Sequence, residues 1–102
     1  MRPELTVFQI EVEKGINDML EHLGKHVADR RIAGISETYI TGSIKDPDIT
    51  FWIYPDGAAL HAGRRRRAFE RTDYEALSDL GCKFIEELTK AAQGRGTEPN
   101  VS

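Results

Sequence analysis

A chain of 102 residues, 39% hydrophobic and 30% charged, is long enough for one core and too short for two, and its composition is neither that of a disordered nor of a membrane protein. No apolar stretch approaches the roughly 18 residues needed to cross a bilayer, and "MRPELTVFQIEVEKG" has no basic leader followed by an apolar run, so no signal peptide is expected. The formal net charge of −3 and the single cysteine, Cys82, exclude a globally basic polyanion binder and an internal disulfide, and suit a reducing, cytoplasmic setting.

The spacing of Leu5, Phe8, Val12, Ile16, Met19, Leu20, Leu23 and Val27 predicts a helix over the first third of the chain, with one apolar stripe. Pro3 and Glu4 suit its first turn, Gly15 invites a bend, and Gly34 is the expected stop. "LTVFQIEV" also alternates well enough for a strand; the continuation of the stripe through Val27 favours the helix. "ISETYITGS" then reads as a strand, "KDPD" as a turn, and "ITFWIY" as the strongest strand of the chain. "PDG" is a hairpin turn in which Gly57 is expected to supply a positive φ, with "AALHA" as the partner strand. Gly63 interrupts, and "RRRRAFER" extends into a further strand or a long continuation. Thr72 and Glu75 in "TDYE" have the spacing of a capping box for a closing helix whose stripe is Leu77, Leu80, Gly81, Phe84, Leu88 and Ala91, with Ile85 at its edge. Gly94 is its natural stop. The expected architecture is therefore α+β: a two-layer sandwich with an N-terminal helix, a three- to four-stranded antiparallel meander and a C-terminal helix, α-β-β-β-α. Residues 1–93 form one domain in this reading, and residues 94–102 a disordered tail.

Charge is unevenly distributed along this order. Residues 34–63 carry one Lys against four acids, and residues 73–102 sum to −3, whereas residues 64–72 carry five Arg against one Glu. In "ITFWIY" the odd positions make one apolar face and the even positions Thr50, Trp52 and Tyr54 the other. If the odd face packs under the helices, Trp52 and Tyr54 stand on the open side of the sheet with Tyr39 on the strand before. His61 and the run Arg64, Arg65, Arg66 and Arg67 are then expected across the neighbouring strands. Trp, Tyr and Arg are the residue types enriched in interface hot spots, which points to a protein partner. An exposed aromatic face suits a homodimer contact equally. The bland alternative is an aromatic sheet face capped by arginine stems and a solvated charge run. Single-stranded nucleic-acid binders also combine aromatics with a basic groove, but acids bracket this run on both sides; nucleic acid ranks second and is not expected.

No pattern of catalysis or cofactor binding is present. His22 and His26 stand four apart, a spacing that lets two imidazoles share a metal on a helix, yet "LGK" between them lacks the glutamate of a zinc-protease motif. Boundary packing is the expected role of the pair, and no metal or other cofactor is expected. Cys82 has no base nearby in sequence and reads as a packing or incidental thiol. "GRRRRAFE" and "GRG" lack the strand–glycine–helix context of a phosphate loop.

Over residues 16–92 the layout resembles the small immunity proteins that neutralise bacterial toxins of interbacterial competition. An opening helix leads to a short meander with "ITFWIYPDGAAL" and to a closing helix within "FERTDYEALSDLGCKFIEEL". The resemblance implies a cytoplasmic, non-catalytic protein that binds one toxin domain and blocks its active site or its partner. Inhibitors of basic nucleases are acidic at the contact, so it further implies either docking through Glu37, Asp46, Asp48 and Asp56 or a toxin that is not a nuclease.

Overall fold

The first helix, α1 (Val7–His22), begins at a capping box. The Gln9 N–H donates to Thr6 Oγ1 (3.2 Å) and the Thr6 N–H donates back to Gln9 Oε1 (2.8 Å), so two orphan amides of the first turn are satisfied. The computed structural model describes residues 4–94; the expected start at Pro3 and most of the expected tail, residues 95–102, lie outside the described residues. α1 passes through Gly15 as one continuous helix. The missing side chain admits α2 instead, for a Cβ on Gly15 would stand 2.6 Å from Ile85 Cδ1. The reciprocal notch is Gly81 of α2 (Leu77–Ala92), where a Cβ would stand 3.1 Å from Val12 Cγ2. Two glycines thus set the close helix–helix contact.

The expectation that α1 continues to Gly34 is corrected. The helix ends at His22, and Gly24 takes a φ of 70° while the Lys25 N–H donates to Leu20 O. Leucine or valine would resist that left-handed conformation; glycine accepts it. Ala28–Ala33 then forms β1, an edge strand whose ion pair from Arg30 to Glu13 (Nε–Oε2 2.7 Å, Nη2–Oε1 2.9 Å) fastens it to α1. The chain continues through β2 (Tyr39–Ile44), β3 (Ile49–Tyr54), β4 (Gly57–Ala62) and β5 (Arg65–Glu70) to a 3-10 turn at Arg71–Asp73 and then α2. The fold is α+β, with five strands in the antiparallel order β1-β2-β3-β4-β5 rather than three or four. The meander expected from the sequence corresponds to β2–β5, and the additional strand, β1, lies where the helix was expected to continue.

Two further local expectations are corrected. Thr72 lies in the 3-10 turn; the N-cap of α2 is Ala76, without a side-chain hydrogen bond. Gly57 has no left-handed φ. Its requirement is proximity: a Cβ there would lie 2.9 Å from Phe69 O on the neighbouring strand.

One core joins the two layers. Val12, Ile16 and Leu20 of α1 and Leu80, Phe84, Leu88 and Ala92 of α2 pack on Ile40, Ile44, Ile49, Phe51, Ile53, Leu60 and Phe69 of the sheet. Each such large side chain stabilises the fold by about 1.5–3 kcal/mol when fully buried. Phe69 and Phe84 meet edge to face with ring centroids 5.4 Å apart, the arrangement favoured by the ring quadrupoles. Ile49, Phe51 and Ile53 are all buried while Thr50, Trp52 and Tyr54 are half-buried, so the odd face of β3 is the one beneath the helices. Among the described residues, no helix is long and apolar enough to cross a membrane.

Candidate functional site

Antiparallel pairing places directly opposed residues on the same face of a sheet, and the register therefore defines the open side. Trp52 stands between Thr41 and Ala59, and Thr50 between Ser43 and His61. Beyond them Ala59 pairs with Ala68, and His61 with Arg66. Tyr54 pairs with Gly57, which pairs with Glu70. Among the described residues, no helix lies over these side chains.

Aromatic groups form a ridge along β2 and β3. The Tyr39 and Tyr54 rings are 5.3 Å apart and tilted by 52°. The Arg66 guanidinium lies over the Trp52 ring, 5.4 Å from its centroid. A cation so placed is attracted by the negative face of the indole. Next to the ridge, small residues on β4 and β5 (Gly57, Ala59 and Ala68) floor a shallow depression of about 380 Å³, with Tyr54, Arg66, Glu37 and Asp56 around it. Burial, and then the neighbouring Tyr39, pushes the Tyr54 phenol above its ordinary value; Arg66 opposes that rise and Glu37 adds to it. Tyr54 is accordingly a neutral donor at physiological pH, set between a cation and an acid.

The arginine run is not one surface. Arg64 sits with Gly63 in the turn that joins β4 and β5, where Ala62 pairs with Arg65. From there the residues alternate: Arg66 rises on the open side, whereas Arg65 and Arg67 rise on the side of the helices. Arg67 Nη1 lies 3.2 Å from Glu87 Oε1 of α2, and its guanidinium lies 5.0 Å from the centroid of Phe69. Glu87 is also approached by Lys83 Nζ (3.4 Å) and Lys90 Nζ (3.7 Å). Burial pulls the Glu87 carboxyl upward, but hydrogen bonding to Lys83 and the charges of Lys90 and Arg67 prevail and hold it below the ordinary carboxylate value. The Lys83–Glu87 pairing at four residues was readable from helix periodicity; the Arg67–Glu87 contact, between distant positions, was not.

The acidic candidates divide as well. Asp46 and Asp48 lie in the β2–β3 turn and Asp56 in the β3–β4 turn, so the meander carries them to opposite ends of the sheet. Asp56 shares the open-face depression with Glu37. Asp48 instead joins a trough of about 670 Å³ on the helix side, beside Arg65, Arg67, Glu87 and Lys90, with Arg66 also contributing to its wall. Lys25 Nζ donates to the Asp46 carbonyl oxygen at 2.7 Å.

The geometry removes the basis for a helical histidine pair. α1 ends at His22, whose Nδ1 is 2.9 Å from Asp18 O, and His26 lies in the following connection. Among the described residues, no three His, Cys, Asp or Glu side chains are gathered in a way that could hold a metal ion. Cys82 is exposed on α2.

Gln9 is the residue whose role the sequence did not reveal. Its side chain is fully buried, and its Nε2 donates to Thr38 O (2.7 Å) and Ile53 O (3.0 Å). One amide thereby ties α1 to the entrance of β2 and the end of β3, next to Tyr39 and Tyr54. A threonine three residues before a glutamine was the available signal, and it gives the cap but not the link to the sheet. Compared with known proteins, the chain matches no family model, no curated protein and no solved structure.

Proposed function

We propose that this chain is a non-catalytic protein-binding module that occludes a partner with the open face of its sheet. The observation that carries this reading is the ridge of half-buried Tyr39, Trp52 and Tyr54 on the side away from the helices, with Arg66 laid over Trp52. Aromatic rings of this kind supply contact area at a low cost in side-chain entropy, and arginine and acidic groups at the margin supply orientation and association rate. The resemblance of the layout to immunity proteins supplies the partner class, a toxin domain met in the cytoplasm. Tyr39, Trp52, Tyr54 and Arg66 are the central contacts in this reading, and Glu37 and Asp56 its acidic margin. The separation of Arg65 and Arg67 from Arg66 counts against a continuous basic groove for nucleic acid.

Affinity capture from the producing cells tests it. The wild-type protein is expected to retain one protein partner, and the Trp52→Ser/Tyr54→Ser variant, assayed at a temperature where circular dichroism shows it folded, to bind that partner at least about tenfold more weakly. Equal retention by both proteins contradicts the reading.

A further inference from the structure

We propose that β5 pairs antiparallel with β5 of a second copy of this chain, so that two five-stranded sheets join into one across a two-fold axis. Among the described residues, β5 has a neighbouring strand on one side only, and its unmatched backbone groups are a template for a further strand. α2 packs chiefly on β4 and less on β5, which leaves this edge at the margin of the helix layer. The opposite edge is less suited. β1 has a register shift between Ala28 and Arg31 and a φ of 53° at Asp29, the kind of bulge that turns an edge away from partners. β5 keeps an unbroken register from Gly57↔Glu70 to Ala62↔Arg65.

The order of charges along β5 selects a second copy. Arg65, Arg66 and Arg67 fill its first half and Glu70 ends it, and antiparallel pairing lays the first half of one strand on the last half of the other. Arg67 already meets Glu87, whereas among the described residues Glu70 has no ion pair. Opposed residues share a face, and the register with β4 puts Arg66, Ala68 and Glu70 on the open side and Arg65, Arg67 and Phe69 on the side of the helices. A two-fold axis near mid-strand therefore passes beside Arg67 or beside Ala68. The first register would oppose Arg67 to itself. The second sets only methyl groups at the axis and opposes Arg66 to Glu70 twice, with about 5 Å between Cβ atoms. On the helix side it places Arg67 opposite Phe69. Arg65 would face Arg71 at the ends of the ladder, but Arg71 has left the strand for the 3-10 turn, where its Nη1 donates to Tyr74 O at 2.6 Å. A uniformly acidic strand would instead lie against Glu70, with Asp56 and Glu87 in the flanking concavities. The depression beside Arg66 borders the same edge through Ala68 and Glu70, so pairing sets two of them side by side and joins two open faces into one surface. This inference goes beyond the open-face reading and stands or falls separately from it.

Sedimentation velocity of the whole chain tests the pairing. The wild type is expected to shift from monomer to dimer, and no further, as its concentration rises from about 1 μM to about 1 mM. Arg66→Glu and Glu70→Arg, both at exposed positions, each set like charges opposite one another twice. Each is expected to weaken the dimer at least about tenfold. An equimolar mixture of the two variants restores both pairs in a heterodimer and is expected to associate within about threefold of the wild type. The double swap Arg66→Glu/Glu70→Arg in one chain restores them as well and is expected to dimerise. Trp52→Thr is expected to leave the dimer intact, which separates this edge from the open face. A wild type that stays monomeric at about 1 mM overturns the proposal. So does undiminished association of either single variant, a mixture and double swap that associate no better than the single variants, or a dimer lost with Trp52→Thr.

Discussion

Replacing Gln9 with leucine is expected to lower the unfolding free energy by about 3 kcal/mol. The substitution keeps an apolar volume at a fully buried position, so the loss comes from hydrogen bonding rather than from a cavity. Thr38 O and Ile53 O lose the donor that reaches them at 2.7 and 3.0 Å, and the Thr6 N–H loses its acceptor at 2.8 Å. A buried carbonyl left without a donor costs about 1–3 kcal/mol. Part of the effect is offset where water enters at Thr6, which is only partly buried. Urea unfolding measures it directly, and a change below about 1 kcal/mol contradicts the assigned role. Because Thr38 and Ile53 precede Tyr39 and Tyr54, the variant is also expected to loosen the Tyr39–Tyr54 contact.

Gly34→Ala is the second large effect, expected at about 2–3 kcal/mol. Gly34 follows β1 with a φ of 116°, outside the range comfortable for an L-residue, and a Cβ there would lie 1.9 Å from Glu37 O. Either the bend at residues 35–37 opens or the strand end moves, and Tyr39 Cδ2, 3.3 Å from the same Cβ, moves with it. Gly63→Ala is the matched control. That residue has a φ of 62° and no atom within 4 Å of the added methyl, so only the backbone cost of about 1 kcal/mol applies. Unfolding curves of the two variants separate steric contact from conformation; equal losses would contradict the close approach at Gly34.

The two faces of β3 were readable because the strand alternates without exception; which of them the helices cover was not. Ile49, Phe51 and Ile53 are more apolar as a set than Thr50, Trp52 and Tyr54, and the helices cover the former. α2 was readable for a similar reason: Leu80, Gly81, Phe84 and Leu88 recur at helical spacing and are buried. β1 was not readable. Its sequence, ADRRIA, has no alternating apolar face, because an edge strand held partly by the Arg30–Glu13 ion pair needs none. Leu23 and Val27 prolonged the helical rhythm although they reach the same core from the turn and connection after α1. Gly24 was the counter-signal, nearer than Gly34. The cap at Ala76 gave no signal at all, since its side chain makes no hydrogen bond.

At the arginine run the sequence showed the charge, and register alone showed its division. A run of four like residues reads as one patch until alternation sends Arg66 to the aromatic ridge and Arg65 and Arg67 toward α2. The acids behave in the same way, with Asp46 and Asp56 close in sequence and carried to opposite ends of β3. Sites spread over several strands are legible only once pairing is known, because the neighbour across a ladder is set by turn length rather than by local propensity.

Iodide quenching of the lone tryptophan, Trp52, measures the accessibility of the open face in solution and its closure by a partner. In the free protein, quenching by iodide is expected to be efficient, aided by the Arg66 cation over the ring. Addition of the captured partner is expected to shield Trp52. An indole that iodide cannot reach in the free protein, or one that stays equally quenched in the complex, contradicts a binding surface centred on this face.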